Sequence, residues 1–417
     1  MVSKNISKKL SRMQFASAFV GNLLEHYDTA LFSFLSPFLA PLIFPDKEPL
    51  VALLLTYAII PLGMLARPLG SLVFGYIGDK YGRGEALFLT LTGMAIVSGC
   101  IALTPTYKEI GVLAPILFCL GRILQNFLSA GETVGGAIFL LENSEEKKHD
   151  FLSGLYSAST IGGILLASLG VFLLSYYKIV DFGWRLLYLF GCLTALFGSF
   201  IRRHTKTTSF KTNIPLSFKA LWTYRKPFFL IALAAGFSYA NYIMALVLMN
   251  GFIPLISPLT KMQMMSVNTA LLVLDFCALP LFGYLAYKIG REKMMLLASA
   301  SVTLFALPLC ALLKGATLLT VIGVRLFFVV SGVAFFAPFY SWSQKLLPLS
   351  HRYMLISFAY AVGSQLLGGP TAAISLLLFK KTGWIASVGI YWMGLAVLTS
   401  LAIIFQGKNH DNRLSIR

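Results

Sequence analysis

Acidic side chains are scarce in this 417-residue chain: 16 Asp and Glu stand against 34 Lys and Arg, and charged residues of both signs make up only 12%. Soluble domains typically carry about 25%, so an ordinary water-facing surface is excluded. Cysteine is sparse too. The five (Cys100, Cys119, Cys192, Cys277 and Cys310) fall in apolar stretches without CxxC or metal-ligand spacing, which argues against a disulfide framework or a zinc site and leaves small buried hydrophobes. No GxxxxGK[ST], GxSxG or HExxH occurs, so a nucleotide-driven pump or a membrane hydrolase lacks its chemistry. The chain is not expected to be an enzyme, nor to hold a metal or cofactor.

What is abundant is apolar sequence, 57% of the residues. Apolar runs of roughly 18 or more residues read as membrane-spanning helices. Twelve are expected, near 14–40, 50–77, 86–104, 111–141, 151–176, 185–201, 227–252, 263–287, 294–313, 316–343, 353–379 and 383–405. The net charge of +18 would suggest nucleic acid if the basic residues clustered on a soluble face. With an even number of spans, however, 23 of the 34 Lys and Arg fall on the side of both termini, 8 on the other side and 3 inside spans. That is the positive-inside pattern, with both ends cytoplasmic in an inner (plasma) membrane, and it removes the need for nucleic acid. No cleavable signal peptide is expected, because the apolar stretch after Lys4, Lys8, Lys9 and Arg12 runs past Glu25 and continues as a full span.

The chain divides in two. Residues 202–226 carry seven basic residues and no acidic one, a linker suited to an anionic inner leaflet. It separates a six-span half, 1–201, from a second, 227–417. The halves echo each other: "GYIGDKYGR" (75–83) and "GYLAYKIGR" (283–291) lie 208 residues apart, and "GRIL" (121–124) matches "VRLF" (324–327). Parallel repeats about an axis along the membrane normal are a common plan for secondary transporters, with the site near the midplane between repeats. The fold class expected is therefore an all-α membrane protein of twelve transmembrane helices in two pseudo-symmetric six-helix halves.

Ionisable groups inside spans are costly and by default functional. In "GNLLEHYD" (21–28), Asn22, Glu25, Asp28 and Thr29 follow helical spacing, so a polar stripe of span 1 is expected to line a cavity. His26 leaves the axis about 100° from Glu25 and reads as a packed imidazole. A structural ion pair of the stripe with Arg67 or Arg122 is the alternative. Glu132 lies some 15 Å beyond Arg122 on span 4. Arg67 and Asp275 occupy equivalent repeat positions with opposite charge, and Asp275 is left to pair with Arg325 or to face the cavity. Asp79 and Arg83, in a tight turn, are gate candidates: Asp79 suits a helix N-terminus, and Glu142 is a partner for Arg83, in surface-level pairs of small net energy.

Together these residues carry a resemblance. "GYIGDKYGR" is similar to the loop 2–3 signature of the major facilitator superfamily, G-x-x-x-D-[RK]-x-G-[RK]. "GNLLEHYD", "ARPLGSLVFGYIGDKYGR", "GRILQNFLSAGETVGGAIFLLE" and "GWRLLYLFG" resemble the metabolite:proton symporter family of proline/betaine, citrate, oxoglutarate and shikimate carriers. The match is dense over residues 15–200 and thinner beyond. His26 stands in place of the usual aromatic, Asn126 and Ala130 in place of glycines, and Tyr287 in place of the Asp in the second copy of the loop motif. The resemblance implies that Arg122 works with a carboxylate of span 1. Glu25 is the first choice for the coupling proton and Asp28 the second, with Glu132 and Asp275 in reserve.

The function expected is proton-coupled symport of a small zwitterionic or carboxylate-bearing metabolite, proline/betaine-like, by alternating access. The alternatives are a dicarboxylate or organic-acid proton symporter, or a transporter-like sensor without net flux. Asn22, Arg67, Arg122, Tyr239, Asn241, Tyr242, Arg325 and Trp342 are the candidate substrate contacts. The arginines suit a carboxylate, and Tyr239, Tyr242 and Trp342 an ammonium face by cation–π contact. The partners expected are a small-molecule substrate and the lipid bilayer, with the proton as coupling ion and a monomeric chain.

Overall fold

A computed structural model describes residues 12–47, 52, 55, 56, 59, 63–204 and 218–414. Most of the basic 202–226 linker lies outside the described residues. No strand occurs among them. The main helices are α1 (Arg12–Ile43), α2 (Arg67–Lys80), α3 (Arg83–Leu103), α4 (Leu113–Glu142), α5 (His149–Tyr176) and α6 (Val180–His204). The second set is α7 (Arg225–Ile256), α8 (Lys261–Ile289), α9 (Arg291–Ala311), α10 (Leu318–Leu346), α11 (Arg352–Thr382) and α12 (Ile390–Leu414).

Ten helices of the described residues are long and apolar enough to cross a membrane. The 32-residue α1 has the length, but its polar cluster breaks the apolar run. Leu103, Leu255 and Leu319 are 73–79% exposed, a distribution that suits hydrocarbon and not water. Pro37 and Pro41 sit inside α1, and Pro254, Pro280 and Pro308 inside α7, α8 and α9. Neighbouring helices make such prolines tolerable in a bilayer.

The chain forms two compact units, one of residues 1–146, 159–217 and 348–358, the other of 147–158, 218–347 and 359–417. The start of α5 thus belongs to the second unit and the start of α11 to the first. In the first unit Tyr27, Leu31, Leu35, Leu39 and Ile43 recur every fourth residue of α1 and are buried against Ile101 of α3, Phe118 of α4, Ala167 of α5 and Trp184 of α6. That apolar face fixes the rotation of α1 and hence the direction of its polar residues. The second unit is held by ring pairs, Phe328–Trp392 at 4.7 Å, Phe237–Phe335 at 4.8 Å and Phe252–Phe379 at 5.0 Å. Two π-helical turns interrupt it, Ile243–Leu248 within α7 and Gly363–Gly368 within α11.

Candidate functional site

The stripe of α1 does not line one surface. Residues three apart on an α-helix are offset by about 60°, so Asn22, Glu25 and Asp28 wind round the axis and meet different neighbours. Asn22 donates to Ser159 Oγ at 2.7 Å and Thr160 Oγ1 at 2.9 Å on α5. Glu25, fully buried, accepts from Arg67 Nη2 of α2 at 2.6 Å and from the Thr133 hydroxyl of α4 at 2.9 Å. Arg67 also donates to Ser129 Oγ from Nε at 3.2 Å and Nη2 at 3.0 Å. The expectation for His26 needs correction: its Nδ1 lies 2.8 Å from Glu25 Oε2 and 2.9 Å from the Asn22 carbonyl. Divergence at Cβ is overcome because both side chains are long enough to fold back.

Asp28 is different. It is 2% exposed; its Oδ2 accepts from the Ser98 hydroxyl of α3, while its Oδ1 has no hydrogen-bond partner. A Cβ at Gly191 of α6 would lie 2.5 Å from that oxygen, so the glycine is what gives the carboxylate room. A relay leads away from it. Ser98 Oγ accepts from Gln125 Nε2 at 2.9 Å, and Gln125 Oε1 accepts from Arg122 Nη1 at 2.7 Å. Arg122, itself 1% exposed, stacks on Phe32 at 4.8 Å and donates weakly to the carbonyls of Asp28 (3.4 Å) and Thr29 (3.3 Å). Its Nε has no partner, nor has the buried hydroxyl of Tyr188 on α6. Sequence reading missed Ser98, Gln125 and Tyr188; Gln125, one turn after Arg122 on an apolar helix, was the available signal.

Glu132 is fully buried and accepts from Thr90 Oγ1 at 3.3 Å. In the second unit, Asn241 Nδ2 donates to the Phe328 carbonyl at 2.9 Å and Trp342 is buried against Phe339. Arg325 does not meet Asp275. Its guanidinium donates to the Ala245 carbonyl at 3.0 and 3.2 Å, to the Met264 carbonyl at 3.4 Å and to Asn268 Oδ1 at 2.6 Å. Ala245 lies in the π-helical turn, whose altered register frees a carbonyl for that cation.

The turn candidates come together in the first unit. Asp79 accepts from Arg83 Nη1 and from two backbone N–H groups at the start of α11, Tyr353 at 3.3 Å and Met354 at 2.9 Å. Arg83 reaches Glu142 at 3.2 and 3.4 Å and the Leu349 carbonyl at 3.2 Å, and Arg352 reaches Glu142 at 3.4 Å. These are not surface-level pairs. Asp79 is 7% and Arg83 3% exposed, because Tyr353 packs into the space left by Gly78 and Gly135. Asp79→Asn is expected to keep the fold and lower transport about tenfold, since an amide still accepts from an N–H but no longer offers an anion to the helix terminus; Arg83→Ala leaves Asp79 without its cation and Glu142 with Arg352 alone, and should be worse. Uptake at matched expression and folding, judged by size-exclusion profile, checks both.

A related cluster in the second unit was missed. Arg291 donates to Asp150 Oδ2 at 3.0 Å and to the Ser341 carbonyl at 2.9 Å, and Ser341 Oγ donates to Asp150 Oδ1. Tyr287 has displaced the acid of the repeated motif, which was the clue that Arg291 must find its carboxylate elsewhere.

Buried charges threaded through a helical membrane core are what a polytopic carrier would need. The Major Facilitator Superfamily model matches residues 18–369, so the chain belongs to that family, and it is a multi-pass integral membrane protein with the superfamily's fold. It is 27% identical to a "Putative proline/betaine transporter" of Staphylococcus aureus (strain COL), covering 96% of this chain and 89% of the relative. It is 30% identical to the "Citrate-proton symporter" of Klebsiella pneumoniae, covering 91% and 88%. The crystal structure of a bacterial homologue of the iron transporter ferroportin in the outward-facing state superposes with a TM-score of 0.75 at 14% identity, over 95% and 100% of the two chains.

Proposed function

We propose that this membrane transporter is a proton-coupled symporter of a small zwitterionic or carboxylate-bearing metabolite, working by alternating access in the inner membrane with both termini cytoplasmic. The single observation that carries the reading is the contrast on α1: Glu25 is fully engaged by Arg67, Thr133 and His26, whereas Asp28 keeps one buried oxygen without a partner. A coupling carboxylate must exist in charged and neutral forms. Asp28 is arranged for both, since a protonated Oδ1 gains a donor and an ionised one has the Ser98–Gln125–Arg122 relay to share its charge. Asp28 therefore replaces Glu25 as the proton carrier, and Glu25 with Arg67 becomes a strut. The names of the relatives, proline/betaine and citrate-proton, support the substrate class and the coupling ion.

Arg122 is assigned to the substrate carboxylate, because its Nε has no partner in a buried setting. Lys keeps the charge but loses the planar fork, so Arg122→Lys is expected to weaken binding of a carboxylate-bearing substrate at least about tenfold. Isothermal titration of the purified chain checks this; unchanged affinity would demote Arg122 to a partner of α1. An organic-acid symporter is the second reading. It is favoured by the 30% identity to the citrate-proton symporter and by Arg122 and Arg325, neither of which pairs with a carboxylate among the described residues.

A further inference from the structure

His26 takes the place of an aromatic in its motif, and its surroundings use the nitrogens that such a ring lacks. Nδ1 lies 2.8 Å from Glu25 Oε2 and 2.9 Å from the Asn22 carbonyl oxygen. A carbonyl oxygen only accepts, so Nδ1 carries the hydrogen and Nε2 is the basic nitrogen. Imidazole is the side chain that changes charge near neutral pH. The ring is 13% exposed, while the carboxylate beside it is sealed.

Few charged groups bear on that ring. On α1 there is Glu25, and from α2 Arg67 holds the same carboxylate at 2.6 Å. From α4 comes the Thr133 hydroxyl, on the same oxygen as His26. α5 brings Ser159, Thr160 and Gly163, none of which titrates; a Cβ at Gly163 would lie 3.0 Å from His26 Cβ. Asp28 leaves the helix about 200° round from His26, towards Ser98 and the relay to Arg122. Glu132 is engaged by Thr90.

The charge count follows. With His26 neutral, Glu25 and Arg67 cancel. One proton on Nε2 sets two cations on one carboxylate and leaves a unit of positive charge in excess. Arg67 gives Nε and Nη2 to Ser129 and Glu25, and its Nη1 has no hydrogen bond among the described residues, so the excess is not spent within the protein. An uncompensated charge inside a membrane needs a partner. Ser129, which Arg67 holds, lies two turns from Arg122 on the same face of α4, about 10 Å at 1.5 Å per residue. A substrate carboxylate on Arg122 therefore feels that charge, and burial keeps the screening weak.

We propose that His26 is a proton-binding site that sets the affinity for the substrate's carboxylate: with Nε2 protonated, the His26–Glu25–Arg67 cluster is cationic and holds the anion more tightly. The inference rests on the symporter reading and concerns binding; the coupling proton stays on Asp28.

The test is a binding profile of the purified full chain in lipid nanodiscs, from about pH 5 to pH 8. Glycine betaine and lactate keep an ionised carboxylate throughout, and choline has none. An Asp28→Asn background stops the coupling carboxylate from titrating. Betaine and lactate are expected to bind about tenfold more tightly at the acid end, and choline no more tightly. His26→Gln should flatten both profiles at the weak, alkaline level; His26→Phe serves if the amide variant does not fold. Nitrogen NMR of isotope-labelled histidines, with the His26 signal assigned by its loss in the variant, is the second readout. That signal should show the Nδ1–H tautomer at alkaline pH. Saturating betaine should move its titration upward by about one pH unit, the same tenfold seen from the other side. A pH profile that survives loss of the imidazole overturns the proposal, as does a His26 titration indifferent to betaine. If a carboxylate-bearing solute is accumulated but its affinity ignores pH, the proposal falls and the symporter reading stands. If a broad panel of such solutes shows neither binding nor flux, the symporter reading falls and this inference with it.

Discussion

Asp28→Asn is expected to abolish gradient-driven accumulation of substrate while leaving exchange of labelled for unlabelled substrate close to the parent rate. The amide keeps the shape of a protonated carboxyl and can still meet the Ser98 hydroxyl that Asp28 holds, but it cannot release a proton. A neutral substrate carried with one proton gains about 2.3 kcal/mol per 100 mV. At 1.36 kcal/mol per tenfold, that is roughly a fifty-fold concentration ratio, which the variant should lose. Proteoliposomes with an imposed potential measure the accumulation, and counterflow without one measures the exchange. If Asp28→Asn concentrates substrate as the parent does, the coupling proton is carried elsewhere and Glu132 becomes the next candidate.

The asymmetry between Glu25 and Asp28 was not legible in the sequence, although their importance was. Two acids in the first apolar span announce function by their cost alone. Their partners depend on how a three-residue step winds round the helix, and on which of α2 to α6 packs at each azimuth. That is tertiary information: Arg67 is 42 residues from Glu25 and Ser98 70 residues from Asp28. The turn cluster was more readable, because Asp79 and Arg83 lie four residues apart across a tight turn and the motif carries the pairing. Its depth was not, since burial comes from Tyr353, far along the chain. Arg325 shows the opposite failure. A cation inside a span suggests an acid, and Asp275 was the available one. Instead a π-helical turn supplies the Ala245 carbonyl, and no residue pattern in "IMALVL" announces that turn.

Glu25, by contrast, is expected to act through stability. Glu25→Gln should lower the stability of the folded protein by about 3–5 kcal/mol, the usual cost of stranding one partner of a buried ion pair. The reason is geometric. Arg67 Nη2 lies 2.6 Å from Glu25, whose carboxylate is fully buried while Arg67 is itself only 12% exposed, so neither charge can recover its loss by turning to water. Thr133 and His26 bring further donors to the same carboxylate, and an amide offers them a single acceptor oxygen. Arg67→Met should cost a similar amount, by leaving the anion stranded. The double variant Glu25→Leu/Arg67→Met removes both charges, and replacing a buried pair with apolar groups of similar volume is often neutral or better. It should therefore melt much closer to the parent than either single change, a coupling that only direct partners produce. Thermal melts of the parent, Glu25→Leu, Arg67→Met and the double variant in one detergent give the cycle. A Glu25→Gln variant that melts like the parent but fails to accumulate substrate would exchange the two roles, making Glu25 the proton carrier and Asp28 the structural acid.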